Sequence, residues 1–148
     1  MSERSVTPEP SSVGLDEIRH RAIAAARAAA DKVGAGTVIL EVGAVLAITD
    51  YFVVTSGANA RQVRTIAEEV EASLAGSAGI KPLRIEGLDD ARWVLIDYGD
   101  FVVHVFLEEV RRYYDIERLW SDAPRVEWEV QAEDGGADEA GARTVVPT

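Results

Sequence analysis

Apolar residues recur at helical spacing from Leu15 to Val33, where Leu15, Ile18, Ala22, Ile23, Ala26, Ala30 and Val33 would share one face until Gly34 and Gly36 interrupt. Thr37–Val42 is short and β-branched and predicts a strand. Tyr51–Thr55 is apolar almost throughout, which predicts a central strand. Gly57 and Asn59 then open a second helix with Val63, Ile66, Val70 and Leu74 on its buried face. Leu83–Glu86 predicts a third strand, Trp93–Phe106 a hairpin, and Glu108 to about Tyr114 a last helix. The pattern is therefore helix, two strands, helix, three strands, helix: an α/β (α+β mixed) single domain with a mixed five-stranded sheet and flanking helices. Strand 51–55, helix 60–75 and strand 83–86 form a βαβ unit with parallel strands.

The hairpin concentrates the candidate chemistry. A two-residue Tyr98–Gly99 loop would set Asp97 against Asp100, Leu95 against Val102 and Trp93 against His104, all on one face. Val94, Ile96, Phe101 and Val103 would form the other, core face. Tyrosine suits the positive φ of such a turn poorly, so a three-residue loop with Gly99 in a bulge is an open alternative. Two carboxylates held together at a hairpin tip cost stability, and a basic partner would offset that cost.

Charge sharpens the organisation. The 148 residues carry a net charge of −11, with a pI near 4.6, which argues against general nucleic-acid binding. Residues 121–148 alone hold seven acids against Arg125 and Arg143. The expected layout is a disordered N-terminal arm at 1–14, a domain at 15–122 and a disordered acidic tail at 123–148. The chain has no cysteine, which removes disulfides, thiolate catalysis and cysteine-rich zinc sites. No stretch reads as a membrane span or signal peptide, so a cytoplasmic protein is expected.

Other chemistry is thinner. Thr55–Arg61 joins a buried strand to a helix N-terminus, where an anion could sit, but it lacks the phosphate-loop pattern; a plain turn capped by Asn59 or Ser56 accounts for it better. His20 and His104 have no metal-ligand spacing, and no nucleophile elbow accompanies Ser56. No metal, cofactor or catalytic set is expected.

Thr49–Gly57 followed by Arg61-Gln62-Val63, Glu86-Gly87, Trp93–Asp100, Val103–Phe106 and Arg112–Trp120 together resemble the ribosomal silencing factor (iojap-like) family in order and spacing. The resemblance covers about residues 15–122. It implies a fold resembling nucleotidyltransferases and a non-enzymatic translational inhibitor that represses protein synthesis under nutrient limitation. The implied partner is the large ribosomal subunit, bound through ribosomal protein fourteen so that the small subunit cannot join. A homodimer stays open, and no membrane or sequence-specific nucleic acid is implied. Matched by position, Glu86, Trp93, Asp97, Tyr98, Asp100, His104, Arg112 and Tyr113 are the expected partner-binding residues. The rivals are a nucleotidyltransferase-like enzyme, for which no Asp/Glu-x-Asp/Glu pair follows Ser56-Gly57, and a generic acidic adaptor acting through its tail.

Overall fold

The computed structural model describes residues 10–129. Of the expected disordered arm at 1–14 and tail at 123–148, residues 1–9 and 130–148 lie outside the described residues, whereas 10–14 belong to the first helix. In chain order the elements are α1 (Pro10–Asp31), β1 (Ala35–Glu41), β2 (Tyr51–Gly57), α2 (Ala60–Ser77), β3 (Arg84–Glu86), β4 (Trp93–Asp97), β5 (Phe101–Leu107), α3 (Glu108–Tyr114) and α4 (Ile116–Leu119). The five strands form one sheet in the order β1-β2-β5-β4-β3. Only β2 and β5 are parallel; the remaining pairs are antiparallel.

The expected βαβ unit keeps its parallel sense, since β3 runs in the same direction as β2 across two antiparallel steps, but its two strands are not neighbours. The parallel neighbour of β2 is β5, and β3 lies at the far edge, with β5 and β4 between. Burial explains the choice. β5 is apolar or buried along nearly its whole length and takes the centre, whereas β3 is three residues long and exposes both Arg84 and Glu86.

The hairpin register differs from both sequence alternatives. Asp97 opposes Val102, Leu95 opposes His104 and Trp93 opposes Phe106. Tyr98 and Phe101 close the turn through a 3.0 Å hydrogen bond, leaving Gly99 and Asp100 as the loop. Gly99 sits at φ 86°, in the first central position where tight hairpin turns favour glycine. The shift is two residues, so the strand side chains keep their expected faces while each pairing changes and Asp100 moves into the turn.

On one face, α1 and α2 pack against the sheet. α2 starts at Asn59, whose side chain accepts from Gln62 N at 2.9 Å while Gln62 Oε1 accepts from Ala58 N at 2.8 Å. These caps occupy the N-terminus weighed above as an anion site. α2 buries Val63, Ile66, Ala67, Val70 and Leu74, and α1 buries Ile18, Ile23 and a run of alanines that lets it approach closely. Leu15 and Val33, expected on the buried face of α1, are exposed; Val33 lies past the end of the helix.

The second face is covered unevenly. Leu40, Val42, Val54, Phe106, Val110 and Ile116 form a smaller core there, bordered by Phe52, Trp93 and Trp120. Arg111 pins α3 to the sheet by donating to Ala35 O (3.0 Å), Gly36 O (2.7 Å) and Ser56 Oγ (3.1 Å), and it pairs with Glu117 at 3.0 Å. Asp115, at φ 50°, ends α3 and turns the chain into α4.

Residues 124–128, expected in the tail, instead run along the free edge of β1. Glu41 N donates to Pro124 O, Val126 N to Ile39 O, and Trp128 Nε1 to Thr37 O. Val126 and Trp128 are buried with the helix-side core. Charged Arg125 and Glu127 alternate with apolar Val126 and Trp128 here because only one side of this strap faces the protein.

Two stability effects are expected. Removing residues 123–148 should destabilise the domain by roughly 3 kcal/mol or more, since a buried tryptophan leaves the core. Arg111→Met should cost about 2–4 kcal/mol, because three acceptors and Glu117 lose their partner; chemical denaturation followed by circular dichroism reads both.

Candidate functional site

The pairing registers place three rows of side chains across the second face of the sheet. One row runs Leu40, Phe52, Val102, Asp97, Arg84; the next runs Val38, Val54, His104, Leu95, Glu86; the third brings Phe106 beside Trp93. The β1 and β2 ends of these rows lie under α3, α4 and Leu46. Toward β4 and β3 the cover runs out. Trp93, Leu95 and Val102 are only half-buried there, and β3 presents charged side chains at the rim. An apolar centre with a polar rim has the anatomy of a protein-docking patch.

Trp93 is the largest side chain of that centre. Its ring packs on Phe106 (centroids 4.9 Å apart) and Tyr114 (5.1 Å), and its Nε1 donates to His104 Nδ1 at 3.1 Å. Gly87 fixes the backbone beneath it: at φ 91°, a Cβ on this residue would lie 2.2 Å from Trp93 O. His104 sits beside Trp93 but is 5% exposed, so it supports the patch from below. Burial lowers its pKa to about 4 from 6.5, keeping the ring neutral.

The two hairpin acids separate. Asp97 lies on the open sheet face, where its Oδ1 accepts from Gly99 N at 2.8 Å and its carboxylate meets Arg84 at 3.3 Å. Arg84 also reaches Glu86 at 3.4 Å, so the two carboxylates share one guanidinium. Asp100 points elsewhere: it is exposed beside Asp50 and the start of α1, in a groove that includes Leu15, Glu17 and Arg21. Asp50 there is raised above the usual carboxylate range by burial first, then by Asp100 and Glu41. The expected cross-strand repulsion of Asp97 and Asp100 is therefore absent, and the two do not converge on one site.

Tyr98 belongs to the helix side. It stacks on Phe101 at 4.8 Å against the main core, and burial, followed by Glu71, pushes its pKa up to about 12. Tyr113 and Arg112 project from α3 as exposed groups. Tyr113 is 81% exposed and meets Tyr114 edge-to-face at 5.0 Å, which continues the aromatic surface outward from Trp93. A groove of about 320 Å³ between Arg92, Glu109, Val110 and the two tyrosines borders the patch. Of the expected binding residues, Glu86, Trp93 and Asp97 thus share the open face, His104 lies under it, Tyr113 flanks it, Arg112 is exposed on α3 with no contact to it, and Tyr98 and Asp100 fall outside it.

Leu95, Val102, Phe52 and Tyr114 complete the patch without having been among the expected residues. The alternation of β4 and β5 carried a signal for Leu95 and Val102; Phe52 and Tyr114 join only through the parallel pairing and the α3 turn. Among the described residues no group of three or more histidines and acids could hold a metal ion, and no helix is long and apolar enough to cross a membrane.

Fold and face together define a class: a small mixed-sheet α/β module with two long helices on one side and an aromatic sheet face only partly covered by two short helices on the other. The family described as "Ribosomal silencing factor during starvation" matches residues 15–146, and the chain belongs to the ribosomal silencing factor family. That match extends past residue 122, where the sequence resemblance was placed. The chain is 45% identical over 105 residues to the ribosomal silencing factor of Halalkalibacterium halodurans, covering 71% of this chain and 89% of that protein. A crystal structure of a Chromobacterium violaceum protein superposes with a TM-score of 0.65 at 37% identity, covering 72% of this chain and 86% of that one. A more distant mouse relative, 32% identical over 85 residues (56% of this chain and 37% of that protein), is named mitochondrial assembly of ribosomal large subunit protein 1.

The buried imidazole gives a pH prediction. Its pKa is lower folded than unfolded, so between 6.5 and about 4 the unfolded chain binds the extra proton. The stabilisation is complete above pH 6.5 and is lost as pH falls toward 4. Relative to His104→Phe, the wild-type protein should lose roughly 3 kcal/mol between pH 7 and pH 4, measured as the difference between their urea-unfolding free energies across that range.

Proposed function

We propose that this chain docks on the large ribosomal subunit through the open sheet face around Trp93, contacting ribosomal protein fourteen and thereby blocking small-subunit joining. In this reading it is a non-enzymatic repressor of translation that acts in the cytoplasm when nutrients are limiting. The observation that carries it is the patch itself: a half-buried tryptophan among leucine, valine and tyrosine side chains, on a sheet otherwise covered on both faces. Aromatic anchors of this kind dominate binding energy in protein interfaces. Family membership and the large-subunit name of the mouse relative support a ribosomal partner.

Electrostatics supports the reading at long range more than at the contact. A net charge of −11 favours approach to a basic partner. At the patch, Arg84 offsets much of the charge of Glu86 and Asp97, leaving apolar contact as the main source of affinity. The divergence of Asp97 from Asp100 weighs against the enzymatic rival, because paired metal ions need carboxylates that converge.

Trp93→Ala should weaken co-sedimentation with purified large subunits about thirtyfold, corresponding to the ~2 kcal/mol of an interface anchor, with an unchanged circular dichroism spectrum. Undiminished binding by that variant would sink the docking face. Truncation after Glu129 should leave binding within about twofold at moderate salt, where screening limits distant charges; loss of binding in that variant would favour the acidic-adaptor reading instead. Added small subunits should compete with the wild-type protein for large subunits.

A further inference from the structure

His104 is a polar group placed where an apolar one would pack without cost. It lies in the second core, 5% exposed, meeting Phe52 edge-to-face at 4.7 Å and stacking over Phe106 with centroids 6.1 Å apart. Its Nε2 is buried with no hydrogen-bond partner. A buried, unpaired polar atom disfavours the folded state. A phenylalanine of similar shape would remove that penalty. What it could not do is accept a hydrogen bond from Trp93 Nε1, which lies 3.1 Å from His104 Nδ1.

That bond determines the proton position. Because Nδ1 accepts, the neutral ring carries its proton on Nε2, the atom left without a partner. It also constrains the indole. Trp93 opposes Phe106 rather than His104 in the sheet, so its ring leans diagonally along the strand to reach the imidazole. Phe106 and Tyr114 supply contact to the ring, but neither supplies direction. An indole on a half-open sheet face has several staggered orientations available, and one hydrogen bond to a fixed, buried acceptor selects among them.

We propose that His104 is a positioning residue for docking: its Nδ1 holds the Trp93 indole in the orientation the partner meets, so that the anchor is ordered before binding. This role rests on the docking reading given above and concerns how the face is prepared rather than where it lies. His104 touches no partner in this scheme; it removes part of the ordering cost that a free tryptophan would incur on association.

The test uses the full-length protein, purified large ribosomal subunits and the indole N–H resonance of Trp93, assigned by its disappearance in Trp93→Ala. In the wild-type protein that proton should exchange with solvent more slowly than a free indole. His104→Phe should shift the resonance, speed its exchange and weaken binding about three- to tenfold, the range for ordering one large side chain. His104→Asn, whose side-chain oxygen can stand near the Nδ1 position, should restore both readouts to within about twofold. Equal binding by the Phe and Asn variants would overturn the positioning role. So would lost binding with an unmoved resonance. Should His104→Phe fail to fold, the wild-type exchange rate still decides: an indole N–H exchanging as freely as an unbonded one refutes the proposal. Trp93→Ala separates the two levels. If it loses binding while His104→Phe does not, only the positioning role falls; if it binds normally, the docking reading falls with it.

Discussion

The parallel seam between β2 and β5, seven residues in register from Tyr51–Phe101 to Gly57–Leu107, is the constraint on which the rest of the molecule depends. Both strands lie inside the sheet and are buried on both faces for most of their length. A parallel pair of this kind requires cover above and below. The helical layer of α1 and α2 meets that need on one side with two long elements. On the other side, among the described residues, the cover consists of α3, α4 and the loop after β1, about a dozen helical residues in all. These reach over β1 and β2 and stop. The open face at β4 and β3 is thus what remains once a short cover has been placed over the seam.

Arg111 is the reason so short a cover holds its place. A helix of seven residues has little stability of its own. Its position comes from a guanidinium that spans from α3 to the start of β1 and to Ser56 of β2, with Glu117 of α4 as counter-charge. The same anchoring sets where Tyr114 meets Trp93 and where Trp120 meets Phe52 at 5.5 Å. One partly buried arginine therefore links the packing of the second core to the shape of the open sheet face.

Local patterns in the sequence carried much of this and left out what depends on distance. The helical period of Val63, Ile66, Val70 and Leu74 and the β-branched runs identify α2 and the strands because burial on one face repeats every turn or every second residue. The neighbour of β2 was not legible, since parallel pairing is decided by which distant strand has two apolar faces, and β5 outcompetes the three-residue β3. Residues 124–128 were hidden by composition: an acidic average conceals that Val126 and Trp128 alternate onto the β1 edge. At the site, Trp93 was legible from its strand, while the separation of Asp97 from Asp100 turned on a two-residue change of register. Arg111 had no local signature, because all but one of its partners lie more than fifty positions away.

The corrected register also changes how charge and shape divide recognition. Two acids side by side at a hairpin tip would have made a local electrostatic clamp. Instead Arg84 bridges Glu86 and Asp97 at an exposed rim, where such pairs contribute little net energy and are screened by salt. What remains strongly charged is the chain as a whole. A diffuse field of that kind raises the rate of encounter with a basic surface without specifying the contact. In the proposed complex, lifetime would rest on the aromatic centre, where burial of Trp93, Leu95 and Val102 would add apolar area that salt does not weaken. On the proposed docking, affinity would depend on the order of the tryptophan more than on the count of carboxylates, and the hydrogen bond from Trp93 to His104 is the contact that links that order to the fold.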